Sequence, residues 1–141
     1  MKDIETIISE LSSEGFRATK IRTSMIELFL KVKGPASAHE IMSILSKKKV
    51  RFNKATIYRE LVFLKERGLI QEVRLPHERG MRFEAAHQAH HHHLICVNCK
   101  KIADIVLQKE LEEQENEIYR STGFQVLGHT LEFMGLCQGC R

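Results

Sequence analysis

Two short cysteine pairs constrain this chain more than any other feature of its sequence. Cys96 and Cys99 form one C-x-x-C pair, Cys137 and Cys140 form a second, and 37 residues separate the two pairs. Two such pairs can supply four thiolates to a tetrahedral zinc ion at Zn–S distances of about 2.3 Å. A four-sulfur site leaves no ligand position for water, so we expect a structural role. Because the gap is too long for a compact zinc ribbon, a folded unit must bring the pairs together.

Charge and metal-ligating residue types are segregated along the chain. Residues 1–83 contain 17 Lys and Arg against 10 Asp and Glu, whereas residues 84–141 contain 5 against 8. All four cysteines and six of the eight histidines lie in the second part. This asymmetry predicts two domains: a basic, polyanion-binding domain over 1–83 and a Cys/His-rich domain over 84–141.

The composition indicates a globular protein without a membrane partner. Hydrophobic residues make up 43% and charged residues 28% of the chain, and there are only two prolines. No apolar run reaches the length of a membrane span, and the acidic N-terminal residues do not resemble a secretory signal. We therefore expect a cytoplasmic location, where cysteines are more often metal ligands or redox thiols than structural disulfides.

Apolar residues at helical spacing predict four helices in residues 1–83. Thr19, Ser37 and Asn53 are the predicted N-caps of the second, third and fourth helices. Alternating residues over 69–75 and 81–84 then predict two strands joined by a turn. Short helices followed by a hairpin are typical of a winged helix-turn-helix.

Basic and polar side chains occupy the first turns of the fourth helix, which makes it the candidate recognition helix. Such turns enter the DNA major groove, where they contact base edges and phosphates. The candidate DNA contacts on this helix are Lys54, Thr56, Tyr58 and Arg59. Further phosphate contacts are expected from Lys47, Lys48, Lys49 and Arg51 before the helix and from Arg74, Arg79 and Arg82 on the wing. The alternative interpretation is that these charges form only a solvated helix face.

The second part has the pattern of a small mixed domain. A strand is expected to lead into Cys96, and a second strand is expected over 102–106. An acidic amphipathic helix containing Leu111 and Ile118 should end at Gly123, and alternation over 124–136 predicts a final strand. The whole chain is thus expected to be α+β: a winged helix followed by a strand-strand-helix-strand domain.

Four consecutive histidines, residues 90–93, lead into the first C-x-x-C pair. If this segment is a strand, His90 and His92 face one way and His91 and His93 the other, so one run can serve two sites. The alternative is a solvated polyhistidine loop. Other ligands are available at Glu84, Asp104, Glu112 and His129. Mixed imidazole and carboxylate ligation suits Fe(II), Mn(II), Zn(II) or Co(II), and the residue types do not select among them.

Several motifs in this chain resemble those of the ferric uptake regulator family of bacterial metal-dependent repressors. In the first part the resemblance lies in residues 15–19 with Arg22, and in Ala-Thr-Ile-Tyr-Arg at 55–59. In the second part it lies in the histidine run leading to C-x-x-C at 91–99 and in Gly-Leu-Cys-Gln-Gly-Cys at 135–140. The match extends over nearly the whole chain.

The resemblance implies a homodimer that binds a palindromic operator in double-stranded DNA, with no small-molecule substrate. It implies structural Zn²⁺ at Cys96, Cys99, Cys137 and Cys140. It implies a regulatory Fe²⁺, Zn²⁺ or Mn²⁺ site at the hinge between domains, formed by Glu84, His91, His93 and Asp104. It implies a second site in the dimerisation domain, formed by His90, His92, Glu112 and His129. It also implies DNA contacts by Tyr58, Arg59 and, near the minor groove, Arg17.

Three departures from the family pattern bear on these sites. The family usually has a hinge histidine at the start of the third helix, where this chain has Pro35-Ala36-Ser37. His39 lies about one helical turn later. Either His39 replaces the usual hinge histidine, or the hinge site has no ligand from the first domain. His92 stands where many members have aspartate, which favours zinc at the second site. His87 is an additional candidate ligand without an assigned site. Asp104 also occurs in the peroxide-sensing branch, so metal and peroxide sensing both stay open.

The sequence hypothesis is a metal-responsive repressor of metal-uptake or peroxide-stress genes, activated for operator binding by a divalent metal at the hinge. Two alternatives are a thiol-redox switch at the C-x-x-C pairs and a constitutive, zinc-stabilised DNA-binding protein. An enzyme is not expected, because the chain has no His-x-Glu ahead of a C-x-x-C and no HExxH motif.

Overall fold

The chain divides into two units, Met1–Gln88 and Ala89–Arg141. The structure is a computed structural model. It describes residues 3–76, 78–86, 90–107 and 111–141. The predicted boundary at 83/84 lies a few residues before the division between the units, because the last strand of the first unit continues through Ala85.

Four helices form most of the first unit. They are α1 (Ile4–Ser13), α2 (Lys20–Lys31), α3 (Ala38–Lys47) and α4 (Lys54–Glu66). The side chains of Thr19, Ser37 and Asn53 each accept a hydrogen bond from the backbone amide three residues later. Each cap thereby satisfies an amide that has no partner within its helix, which is why α2, α3 and α4 begin there. The three predicted caps are confirmed.

A three-stranded antiparallel sheet completes this unit. Its strands are β1 (Ala36–Ser37), β2 (Ile70–Arg74) and β3 (Met81–Ala85), in the order β1-β3-β2. The hairpin of β2 and β3 is as predicted, and helices followed by this hairpin make a winged helix-turn-helix. Strand β1, which pairs Ala36 with Phe83, was not predicted because two residues are too few to show alternation.

The core of the first unit fixes the orientation of α4. Ile57, Leu61 and Leu64 recur at helical spacing and are at most 2% exposed. They pack with fully buried side chains of α2 and α3, which include Met25 and Ile41. Because one face of α4 is anchored in this way, its first turns present their remaining side chains outward.

The second unit combines three strands and one helix. Its elements are β4 (His92–Cys96), β5 (Ile102–Ile105), α5 (Glu112–Thr122) and β6 (Glu132–Gly135), followed by a short 3-10 helix over Gln138–Cys140. The sheet order is β5-β4-β6, with β4 antiparallel to β5 and parallel to β6. A parallel pair needs a long connection, and α5 lies within it. The predicted strand-strand-helix-strand order and the α+β class are confirmed.

The final strand is much shorter than predicted. Residues 124–131 form no strand, and β6 contains only Glu132–Gly135. Two of the apolar residues that suggested a longer strand are left largely uncovered, since Phe124 is 68% and Leu127 91% exposed. Among the described residues, no helix has the length and apolar character needed to cross a membrane.

Candidate metal and nucleic-acid sites

The four cysteines meet at one end of the second sheet. Parallel pairing places Cys96, the last residue of β4, opposite Gly135 at the end of β6. Cys137 lies two residues after Gly135 and is therefore close to Cys96. The chain turns after β4 and again after β6, and these turns bring Cys99 and Cys140 to the same end of the sheet. One sulfur from each of the four lies within 4.8 Å of every other. The topology thus solves the problem posed by the long gap between the pairs.

The sulfur positions fit a tetrahedral zinc ion. Zn–S bonds of about 2.3 Å imply S···S edges of about 3.8 Å, and the Sγ atoms of Cys99 and Cys137 are 3.7 Å apart. Backbone amides of Cys137 and Cys99 donate hydrogen bonds to the Cys96 sulfur and lower the pKa of its thiol to about 6. That favours the thiolate, which is the form that binds metal.

Three histidines form a second cluster in the same unit. Side-chain nitrogens of His90, His92 and His129 lie within 4.8 Å of one another. The Nε2 atoms of His90 and His129 are 3.2 Å apart. A tetrahedral ion with metal–nitrogen bonds of about 2.0–2.1 Å requires N···N edges of about 3.3 Å, so this spacing also fits a bound metal.

The carboxylate beside this cluster is not the expected one. Glu112 is exposed and is absent from the cluster as the described residues form it. Instead, Glu115 Oε1 lies 2.8 Å from His129 Nδ1. Both acids lie on α5, but Glu112 is its first residue and Glu115 lies almost one turn further along, facing His129. The two glutamates have the same residue type and lie in the same acidic stretch, so the sequence does not distinguish them.

His91 and His93 lie apart from the cluster of His90 and His92, as the alternation of side chains along a strand predicts. The rings of His91 and His93 have centroids 5.1 Å apart. Asp104 pairs with His93 across β5 and β4, and its Oδ1 lies 3.8 Å from His93 Nε2. The second unit therefore brings together three of the expected hinge ligands.

The other expected hinge ligands belong to the first unit. Glu84 lies in β3, is 2% exposed and accepts a hydrogen bond from Gln71 Nε2 at 2.7 Å. Burial of a carboxylate is costly without hydrogen bonds or a metal, so its position suits a ligand. His39 is an exposed residue near the start of α3. The complete hinge set stays a prediction, and His87 lies outside the described residues.

The predicted DNA contacts lie at the start of α4 and just before α2. Lys54, Tyr58 and Arg59 are exposed, as is Arg17. The Thr56 hydroxyl instead donates to Asn53 Oδ1 at 2.9 Å and accepts a hydrogen bond from Arg59. Thr56 thus supports the cap of α4 and the position of the Arg59 side chain.

Arg22 connects this surface to the core, a role that the sequence did not indicate. Its Nε and Nη2 atoms each donate to the carboxylate of Glu60 on α4 at 3.0 Å. Its guanidinium lies 3.8 Å from the ring centroid of Phe63. Its Nη1 donates to the backbone carbonyl of Arg17 at 2.8 Å. One side chain therefore fixes both α4 and the segment that carries Arg17.

Arg82 does not serve as the wing cation that the sequence suggested. It donates two hydrogen bonds to Glu78, one to Glu40 and one to the carbonyl of Pro35. Its side chain is only 14% exposed. Arg82 joins the wing to the start of α3, which leaves Arg74 and Arg79 as exposed cations of the hairpin.

The profile of the ferric uptake regulator family matches residues 13–134 of this chain. The chain belongs to the ferric uptake regulator family. It is 27% identical over 135 residues to the ferric uptake regulation protein of Neisseria gonorrhoeae, covering 95% of this chain and 92% of that protein. It is 32% identical over 139 residues to the peroxide-responsive repressor PerR of Staphylococcus saprophyticus, covering 98% and 91%.

A solved structure of the same family supports the fold. The ferric uptake regulator of Francisella tularensis, determined with iron, superposes with a TM-score of 0.77 at 27% identity, covering 89% of this chain and 95% of that chain. The resemblance expected from the sequence is confirmed. The departure of this chain at 35–37 also has a structural counterpart, because Ala36 and Ser37 form β1 and Ser37 caps α3.

Proposed function

We propose that this chain is a metal-responsive transcriptional repressor that binds DNA as a homodimer. The observation that carries the proposal is the pairing of a winged helix with a second unit that holds separate four-cysteine and three-histidine clusters. A four-sulfur cluster suits a permanent structural zinc, whereas imidazole and carboxylate clusters suit exchangeable metal. The proposal assigns no catalytic residue.

Regulation is proposed to act at the hinge. A metal held jointly by Glu84 in the first unit and by His91, His93 and Asp104 in the second would restrict the orientation of the winged helix. In a dimer, this sets the spacing of two recognition helices on a palindromic operator. The metal shifts the equilibrium between the DNA-binding and non-binding conformations only by the difference in its affinity for the two. A change in their ratio from 1:99 to 99:1 takes a difference of roughly 5.5 kcal/mol.

Apolar side chains left exposed on the second unit support the dimer. None of the eleven described residues of α5 is buried. Large apolar side chains in and after this helix are exposed by 40–91%: Ile118, Tyr119, Phe124, Leu127, Phe133, Met134 and Leu136. Large exposed apolar side chains concentrated in one unit favour an association site, and a second copy with the same side chains can cover them isologously.

The regulated genes are proposed to serve metal uptake or peroxide defence, and the regulatory ion is proposed to be Fe²⁺, Mn²⁺ or Zn²⁺. The regulator itself is proposed to act in the cytoplasm. Both kinds of regulator occur among the relatives. The aspartate at 104 and the buried glutamate at 84 supply hard oxygen donors that suit Fe²⁺ and Mn²⁺. A redox-switch alternative is supported by the 3.7 Å distance between the Sγ atoms of Cys99 and Cys137, because oxidation by peroxide can join such close sulfurs in a disulfide and release zinc.

The test measures DNA affinity against metal. Untagged protein with its zinc retained is titrated into fluorescent DNA of its own promoter, anaerobically, with and without Fe²⁺, Mn²⁺ or Zn²⁺. One of these ions should tighten binding by roughly 5–150-fold, the usual range of allosteric coupling. His93→Ala should remove that response but keep metal-free binding, whereas Arg59→Ala should weaken binding in both states.

Two results would contradict the proposal. Binding that ignores all three added ions indicates a constitutive DNA-binding protein. DNA binding that does not change with added metal, but is lost when mild peroxide releases zinc, indicates the thiol switch. In that case His93→Ala leaves DNA binding unchanged.

A further inference from the structure

His129 has both ring nitrogens engaged, and its two partners differ in kind. Its Nε2 atom lies 3.2 Å from His90 Nε2, within the cluster that also contains His92. Its Nδ1 atom lies 2.8 Å from Glu115 Oε1. The ring therefore bridges a candidate metal site on one side and a carboxylate on the other.

An ionised carboxylate only accepts hydrogen bonds, so the proton in this contact belongs to His129 Nδ1. The neutral ring then has its lone pair on Nε2, which is the nitrogen directed at His90. Metal-binding histidines commonly donate their second ring N–H to a carboxylate, which fixes the tautomer and makes the ligand nitrogen more basic.

We infer that Glu115 is a positioning residue for metal binding at the His90, His92 and His129 cluster, where it acts through His129. The inference rests on the proposed role of that cluster as a metal site. It goes beyond it by replacing the expected ligand Glu112 with a carboxylate that does not bind the ion. Glu115 holds His129 in the ligating tautomer and orientation before metal arrives.

The geometry of α5 separates the two glutamates. The Glu115 side chain is 32% exposed and in contact with His129, whereas Glu112 is exposed at the start of the helix. Within the described residues, the cluster with ligand atoms less than 4.8 Å apart contains three imidazoles and no carboxylate. Three neutral ligands leave the charge of a divalent ion uncompensated. A carboxylate one imidazole away reduces that charge cost and favours binding.

The experiment titrates the full-length protein, with its four-cysteine zinc retained, with Co²⁺ and then competes with Zn²⁺. The visible absorption of Co²⁺ separates nitrogen from sulfur ligation. The part of the nitrogen-ligated signal that is lost in His129→Ala, and not the part lost at the hinge in His93→Ala, gives the affinity of this cluster. Glu115→Gln and Glu115→Ala should each weaken binding by roughly 10–100-fold, the range for loss of a carboxylate behind a ligand histidine. Glu112→Gln is the matched control, because it removes the same charge from the same helix. It should change the affinity by less than about threefold, because Glu112 is exposed and Glu115 is the glutamate that contacts His129.

A second readout is independent of affinity. Imidazole ¹⁵N spectra of the metal-free protein should show His129 with its proton on Nδ1, and Glu115→Ala should shift it toward the Nε2–H tautomer. A merely structural role of Glu115 would change thermal stability without changing this tautomer.

The possible failures are distinguishable. If the wild-type protein binds no Co²⁺ at nitrogen ligands, or His129→Ala binds it normally, the proposed cluster site is wrong and this inference falls with it. If the wild type binds but Glu112→Gln weakens the site and Glu115→Gln does not, the site stands and only the role of Glu115 is refuted.

Discussion

Removal of Arg22 should destabilise the first unit more than removal of any exposed cation. The bidentate ion pair of Arg22 with Glu60 joins α2 to α4, and both side chains are only 12% exposed. Its guanidinium also lies against the ring of Phe63. In Arg22→Ala, the Glu60 carboxylate loses its partner in a poorly hydrated position, and the carbonyl of Arg17 loses a donor.

The expected loss follows from this burial. Breaking a fully buried ion pair by removal of one partner costs about 3–5 kcal/mol. The residual exposure of this pair places the estimate at the lower end, so we expect about 3 kcal/mol. For a domain of this size, about 4–8 °C of Tm per kcal/mol corresponds to a fall of roughly 10 °C or more. Arg22→Lys should lose less, because the charge stays while the planar, two-pronged contact is lost.

Arg67 provides a matched control. It pairs with Glu14 at 3.2 Å and lies over the ring of Phe16 at 4.9 Å, but its side chain is 38% and that of Glu14 51% exposed. Arg67→Ala should therefore cost less than about 1 kcal/mol. Urea unfolding followed by far-ultraviolet circular dichroism measures both losses. The reasoning is refuted if Arg22→Ala costs no more than Arg67→Ala, or if the added change Glu60→Leu does not recover part of the loss.

Three further predictions use local features. Ile57→Ala should cost about 2–5 kcal/mol in urea unfolding because Ile57 is fully buried, whereas Val62→Ala, at a side chain 51% exposed on the same helix, should cost under about 0.5 kcal/mol. Asn53→Ala should cost about 1 kcal/mol because it removes the cap of α4; a loss under a few tenths in the same assay would contradict the role of the cap. Cys99→Ser should lower tightly bound zinc, measured by elemental analysis after mild chelation, from one per chain to nearly none; retention of one zinc would exclude the four-sulfur site.

The features that the sequence predicted correctly are those determined by a few neighbouring residues. The caps at Thr19, Ser37 and Asn53 each need only a side-chain oxygen and an amide three residues later. The hairpin of β2 and β3 needs only alternation on both sides of a turn. Such features depend little on the rest of the chain, so their residue types are sufficient to identify them.

Features that depend on distant partners were not predictable in this way. Arg82 looks like a surface cation in the sequence, but its partners include Glu40 and Pro35, more than forty residues away. The choice between Glu112 and Glu115 depends on where α5 begins and how it faces His129. Residue type shows that a charge is present, whereas the contact that neutralises it is determined by the folded chain.

The failure of the predicted long final strand has the same origin as the argument for a dimer. Alternating apolar residues indicate that one face is buried, but they do not indicate what buries it. Phe124 and Leu127 belong to this apolar stretch and are nevertheless exposed in the isolated chain. A second copy that covers them would account for their apolar character without a strand in this chain. Apolar patterning in the second unit is therefore better read as a property of the proposed assembly than of the single chain, whereas in the first unit, with its own buried core, the same patterning predicted the helices correctly.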